Sequence, residues 1–450
     1  MKRVTPALAA LCALLVTALP AQAAGQRAAD PQVAHRDSYG TKAPYAPEQN
    51  PRTYQQAPAG FTPVFTENVS RHGSRSATDS EDGDLVLALW DKARAAGRLT
   101  RRGEEFGPKV RALQAAMARV GYGDLSGRGR QEMRDTARRL AERLPSLFRR
   151  IAAEGEKIDV VSSGQGRAID SGNEFTGALA DADPDLKPLI GPIRTDKDLL
   201  YFHKAAGGAA YRDYIANDQR LASTLRSLTD QPKTHEAARS VLRRLFEADF
   251  VAGLTDADQV AAAQAVYNLY AIAPAMVEES PDGAGWGMER YLSRSDAAWF
   301  GYLSDVEDFY EKGPGFSDSD ITYKMAGVLL DDFFRQVEAE KAGTSTLGAE
   351  LRFTHAEEII PLAALMRLPG STKAATPGQP YTYRDNPWRG ADVAPLGANI
   401  QWDVFRKGDR YLVRMLYNER ETAFRPGCTP IAKGSRFYDL TELERCFGRN

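Results

Sequence analysis

Phe65-Thr66-Glu67-Asn68-Val69-Ser70, followed without a break by Arg71-His72-Gly73-Ser74-Arg75, decides the fold of this chain. The hexapeptide reads as the end of a β-strand that begins near Phe61, and the pentad as the loop it enters. At the carboxyl edge of a sheet, where α/β folds bind ligands, such a loop aims two guanidinium forks and one imidazole into a single pocket. Arginine matches phosphate oxygens in bidentate geometry. Gly73 lacks a Cβ, so backbone is expected to approach the ligand closely there.

Two further strand-to-loop turns lie outward from this junction. Lys157-Ile158-Asp159-Val160-Val161-Ser162-Ser163 is short and β-branched, and it delivers Gly164-Gln165-Gly166-Arg167 into a loop and a helix to Leu179. Residues 350–354 form a strand that carries His355 to the sheet edge, and a helix follows over 357–367. Apolar periodicity predicts helices over 82–96, 108–120 and 129–151. The arginines from Arg138-Arg139 to Arg149-Arg150 read as a solvated helix face rather than a ligand site. Between 184 and 316 the pattern is helical throughout (198–217, 236–252, 256–271, 288–311), then a helix over 321–342, and alternating strands over 399–406 and 411–417. The fold class is α/β: a central, mostly parallel sheet flanked by helices, over 61–183 and 317–450, with an all-helical cap inserted at 184–316.

The chain has 450 residues, 43% of them hydrophobic and 26% charged, with a formal net charge of −2. That composition supports a large core and excludes a dedicated nucleic-acid binder, which needs a strongly basic face. Lys2-Arg3, the apolar run from Ala7 to Leu19 and Ala21-Gln22-Ala23 have the layout of a cleavable secretory signal over 1–23, too short to span a bilayer. The expected location is therefore extracellular or cell-envelope, free of the membrane once the signal is removed. Residues 24–60 read as an extended arm, either a strap or, through Lys42, a positive group at the pocket rim. Cys428 and Cys446 remain after cleavage, and in an exported chain they are expected to form one disulfide, worth roughly 3 kcal/mol by loop entropy. Two unbonded buried thiols are the alternative.

The pentad resembles the signature of the histidine phosphatase superfamily, in its acid phosphatase and phytase branch, and Thr354-His355-Ala356-Glu357 carries the second half of that signature. A His-Ala-Glu triplet resembles the multiple inositol polyphosphate phosphatases. So do Gly40-Thr41-Lys42-Ala43-Pro44-Tyr45, Gly129-Arg130-Gln131-Glu132-Met133, Ala398-Asn399-Ile400 and Met415-Leu416-Tyr417-Asn418-Glu419. The resemblance implies that Arg167 is a third guanidinium of the phosphate pocket. It departs at Leu200, where the family has an arginine, with His203 and Lys204 as replacements at the rim, and at Ser76-Ala77, where acid phosphatases carry a proline.

The chemistry these residues suit is hydrolysis of phosphomonoesters, with inositol polyphosphates as the substrate class implied by the resemblance. His72, as neutral imidazole, would attack phosphorus and form a phosphohistidine. Arg71, Arg75, Arg167 and His355 would hold the phosphoryl oxygens. Glu357 would protonate the leaving oxygen, with Glu358 as its competitor. No cofactor and no metal are expected, since none of the five histidines is paired at ligand spacing. A broad acid phosphatase and a non-catalytic phosphate or polyanion binder are the rival readings. The partner is a small-molecule phosphate ester; the sequence does not specify an oligomeric state.

Overall fold

The computed structural model describes Arg36 and residues 38–449, so the expected signal and most of residues 24–37 lie outside the described residues. Eight strands form one sheet: β1 Thr62–Arg71, β2 Lys157–Ser162, β3 Arg194–Thr195, β4 Leu347–Thr354, β5 Asn399–Lys407, β6 Arg410–Tyr417, β7 Arg420–Thr422 and β8 Phe437–Asp439. Their order is β3-β2-β4-β1-β5-β6-β7, with β8 on β6. The half from β3 to β1 is parallel, and every pairing beyond β1 is antiparallel. The sheet is thus mixed rather than mostly parallel. The cause is local: Lys407 pairs with Arg410 across a tight turn, and strands joined that way can only run antiparallel.

β1 is buried from Val64 to Arg71 on both faces. One face is covered by helices Gly127–Arg143, Pro145–Glu154 and Gly166–Ala182, whose apolar side chains meet Ile158, Val160, Ala349, Leu351 and Phe353. The other is covered by Gly327–Ala342 and Ala356–Leu365, with Phe333 and Phe334 edge-on to Trp402.

Several helices differ from expectation for identifiable reasons. The expected helix over 129–151 is two, broken at Leu144 (φ −122°, ψ 50°), because the residue before Pro145 disfavours helical backbone. The helix expected from 108 starts at Arg101, capped by the Thr100 hydroxyl, which accepts from Gly103 N at 3.0 Å. Buried Phe106, Val110, Leu113 and Met117 carry the helix through Pro108 despite its cost of about 3 kcal/mol. The insert is not wholly helical, since Arg194–Thr195 joins the sheet beside β2. Nor does its helical layer come from 184–316 alone. Glu81–Ala95 and Arg101–Val120 pack against Pro232–Leu245 and Asp256–Ile272, tied by Thr100 Oγ1 donating to Arg244 O (2.6 Å) and Asn268 Nδ2 to Asp82 Oδ1 (3.1 Å).

The arginine-rich face is partly structural. Arg143 is 3% exposed and grips both oxygens of fully buried Asp403 at 3.0 Å, while Arg414 holds Asp403 Oδ2 at 2.8 Å. Burial pushes the Asp403 carboxyl up, but the two guanidinium groups outweigh it and hold it below its ordinary value. Arg139 likewise pairs with buried Glu419. A second cluster lies on the other face. Glu67 and Glu350 are cross-strand neighbours on β1 and β4, and fully buried Arg352 meets Glu67 at 2.9 Å, Glu350 at 3.3 Å and Asp332 at 2.6 Å. Cys428 and Cys446 are joined, Cα to Cα 5.2 Å, clasping the final helix Leu440–Cys446 to the preceding loop.

Asp403→Ala would leave two buried guanidinium groups without their shared carboxylate. The expected loss is about 3–5 kcal/mol in urea unfolding; a loss below about 1 kcal/mol, the scale of a surface ion pair, would show that the triad contributes little.

Candidate active site

The parallel pairing of β1 with β4 sets the site. Arg71 and Thr354 are register partners at the two strand ends, and His72 N donates to Thr354 O at 2.8 Å. The next residue on each strand is a histidine. His72 and His355 therefore stand side by side, both buried, ring centroids 5.4 Å apart and edge to face. β2 adds the third group: Ser163 N donates to Phe353 O, the Ser163 hydroxyl lies 2.8 Å from His355 Nε2, and Arg167 follows in the first turn of Gly166–Ala182.

His72 Nδ1 is 2.9 Å from Gly73 O. A carbonyl can only accept, so Nδ1 carries the proton and Nε2 of the neutral ring keeps its lone pair. Burial, then the charges of Arg71, His355, Arg75 and Arg167, push the ring's pKa well below its usual value. Burial first, and the neighbouring arginines, also pull Arg71 and Arg75 down to about 10. Arg71 donates through Nη1 to Thr41 O (2.5 Å) and Ala394 O (2.6 Å). Even so, the buried Nε atoms of Arg71, Arg75 and Arg167 and the Nδ1 of His355 have no partner in the protein. Four donor-bearing groups converging under net positive charge suit an oxyanion with several acceptor oxygens.

Glu357 lies in the first turn of the helix Ala356–Leu365, which His355 caps. Burial raises its carboxyl, but Lys312, with Nζ 3.8 Å away, His203 and His355 outweigh that and hold it below the ordinary carboxylate range. Lys312 is itself held by Asp308 at 2.7 Å, and Asp308 accepts from Thr41 Oγ1 at 3.0 Å. Nothing in the sequence marks Lys312, because an Asp-Lys pair four residues apart is ordinary helix surface chemistry.

The rim residues separate. Lys42 lies beside Arg75 and Asp308, and burial lowers its pKa. The arm around it is also a strap: Leu396 N donates to Ala43 O and Tyr45 Oη to Glu419 Oε2. His203 is not at the rim. It is buried and bonded through Nδ1 to Glu358 Oε1 at 2.6 Å, while Lys204 is exposed. Gly73 serves a different close approach from the one expected: a Cβ there would lie 2.5 Å from Gly129 O, so the glycine seats the loop on the helix Gly127–Arg143. Glu132 of that helix completes the seat, accepting from Ser74 N at 2.8 Å and Ser74 Oγ at 2.9 Å. Among the described residues, no group of three or more His, Cys, Asp or Glu side chains is placed to hold a metal ion.

Comparison with known proteins agrees with this geometry. The model of the Histidine phosphatase superfamily (branch 2) matches residues 65–418. Multiple inositol polyphosphate phosphatase 1 of Gallus gallus is 26% identical over 418 residues, covering 86% of this chain and 85% of its own. The crystal structure of Bifidobacterium longum multiple inositol polyphosphate phosphatase complexed with inositol hexasulfate superposes with a TM-score of 0.84 at 32% identity, covering 91% of this chain and 97% of that one. Its complex with phosphate gives a TM-score of 0.85, also at 32% identity and with the same coverage.

Gly73→Ala should drive the loop off Gly129 and weaken binding of inorganic phosphate at least about tenfold, some 1.4 kcal/mol, by titration calorimetry. Unchanged affinity would show that this contact does not set the loop.

Proposed function

Because the chain belongs to branch 2 of the histidine phosphatase superfamily, and so is a histidine-type phosphatase, we propose that it removes phosphates from inositol polyphosphates such as phytate through a phosphohistidine intermediate. The observation that carries this reading is the His72 ring: its Nδ1–H is spent on Gly73 O, and its Nε2 lone pair is left among three guanidinium groups. The substrate class is supported by the names of the relatives and by two further cations, Lys42 beside Arg75 and Lys312 beside Glu357.

In the first half-reaction, His72 Nε2 bonds to phosphorus as the P–O bond to the inositol carbon's oxygen breaks. Arg71, Arg75, Arg167 and His355 take up the charge spread over the three equatorial oxygens. The departing oxygen receives its proton from Glu357. In the second, Glu357 takes a proton from water as that water's oxygen bonds to phosphorus and the P–N bond breaks, returning neutral His72 and free phosphate.

Glu357 is held as a carboxylate in the protein alone, so its donor form depends on the substrate. A polyanion entering beside Lys312 offsets the positive charge that depresses this carboxyl, and its pKa rises with the ester bound. The enzyme acquires its acid as it acquires its substrate. Export is part of the proposal, supported by the signal-like layout of residues 1–23 and by the Cys428–Cys446 disulfide.

His72→Ala should abolish phosphate release from phytate. Glu357→Gln should lower kcat on phytate by about 10²–10⁴, whereas with p-nitrophenyl phosphate, whose leaving group needs no proton, the burst of p-nitrophenol that accompanies phosphohistidine formation should be slowed far less. For the wild-type protein on phytate, kcat should fall as pH rises through the substrate-bound pKa of Glu357. Turnover by His72→Ala, or a p-nitrophenol burst slowed in Glu357→Gln as much as phytate turnover, would refute these roles.

A further inference from the structure

Behind the catalytic turn lies a closed polar ring that the mechanism above does not use. His203 Nδ1 is 2.6 Å from Glu358 Oε1, Glu358 Oε2 is 2.9 Å from Thr354 Oγ1, and Thr354 Oγ1 is 2.7 Å from Leu200 O. Glu358 and Thr354 are fully buried and His203 nearly so. The ring spans two segments distant in sequence, the entry to the helical insert at Leu200–His203 and the strand end and helix start at Thr354–Glu358. Tyr201 sits within it, its ring 4.6 Å from that of His203 and 5.3 Å from that of His355.

Leu200 O can only accept and, at 2.7 Å against 2.9 Å, lies nearer to Thr354 Oγ1 than Glu358 Oε2 does; with the single hydroxyl proton of Thr354 spent on that bond, Thr354 Oγ1 has only a lone pair to offer Glu358. An ionised Glu358 would set two oxygens 2.9 Å apart, buried, with no proton between them. A protonated Glu358 satisfies every member: Oε2–H donates to Thr354, and Oε1 accepts from His203 Nδ1–H.

We propose that His203 and Glu358 form a positioning latch for the catalytic turn, closed when Glu358 is a neutral acid that donates to Thr354. The proposal rests on the reading of His355 and Glu357 as catalytic, since they are the residues held. Burial supports it by lifting Glu358 to about 7, against the lowering effects of His203 and Thr354, with Glu357 adding a rise. The groups facing Glu358 are His203 and Leu200 O from the insert, Thr354 from β4, and Glu357 from its own helix; His355 and Lys312 act on it through Glu357. When Glu358 ionises, the bond to Thr354 is lost and a second negative charge appears beside Glu357, so the turn loosens as pH rises.

The test is the pH dependence of kcat and KM on phytate for wild type, Glu358→Gln, Glu358→Ala and His203→Ala, across about pH 4 to 8. Glutamine keeps one donor and one acceptor, copying the neutral acid. Glu358→Gln should stay within about threefold of wild-type kcat at the acid end, and its alkaline limb should fall with one proton where that of wild type falls more steeply. Glu358→Ala and His203→Ala should lose about 10–100-fold in kcat, as for small misplacements of catalytic groups, with KM changed less than about threefold. A Glu358→Gln variant as impaired as Glu358→Ala, or a His203→Ala variant with wild-type kcat and pH profile, overturns the latch. If Glu358→Ala fails to fold, the slopes for Glu358→Gln and wild type decide alone, equal slopes overturning the proposal. His72→Ala, run alongside, tests the phosphatase chemistry separately: turnover there defeats that reading, whereas a failed latch beside an inactive His72→Ala leaves it standing.

Discussion

One backbone hydrogen bond, from His72 N to Thr354 O, continues the β1–β4 ladder one residue past the end of the strands. Parallel pairing in this register forces the residue after Arg71 to lie beside the residue after Thr354. No turn or side-chain contact could bring segments nearly three hundred positions apart into so fixed a relation. Ser163, Arg167 and Glu357 take their places from the same ladder, the first two through β2 and the last through the helix that starts at His355.

The electrostatics arise from that convergence. Three guanidinium groups and two imidazoles share a small buried volume, and each cation lowers the proton affinity of its neighbours. The protein answers with few negative charges: Glu357 at the mouth, and Asp308 tied up with Lys312 and Thr41. Burial first, and then this imbalance, keeps both histidines neutral, and the imbalance makes a multiply charged oxyanion the natural complement.

The core of this arrangement was legible in the sequence because its parts are contiguous with strand ends. Arg71, His72, Arg75 and His355 sit where hydrophobic alternation stops, and Arg167 lies just past a third such stop. Glu132 and Lys312 were not readable as site components, nor was the bond that pairs His203 with Glu358, since each acts across elements whose packing only the fold defines. Arg143 looked like surface because its neighbours are charged, yet it faces Asp403 from the buried side of an amphipathic helix. The helix expected from 108 begins earlier because burial carries it through Pro108, whereas Pro145 signals a break at Leu144 that helical periodicity concealed.

The Arg352 cluster bears on the conditions the fold tolerates. Three carboxyl groups surround one buried guanidinium, and Glu67 and Glu350 are both raised above their ordinary values, chiefly by burial. Carboxyls whose native affinity for protons exceeds their unfolded affinity favour the native state most below the unfolded value, and that benefit fades as pH climbs through the native one. The sheet under the edge that carries His72 and His355 thus holds two carboxyls whose uptake of acid hydrogen favours the native state, and sour surroundings reinforce this layer of the molecule where they would dissolve one built on matched ion pairs.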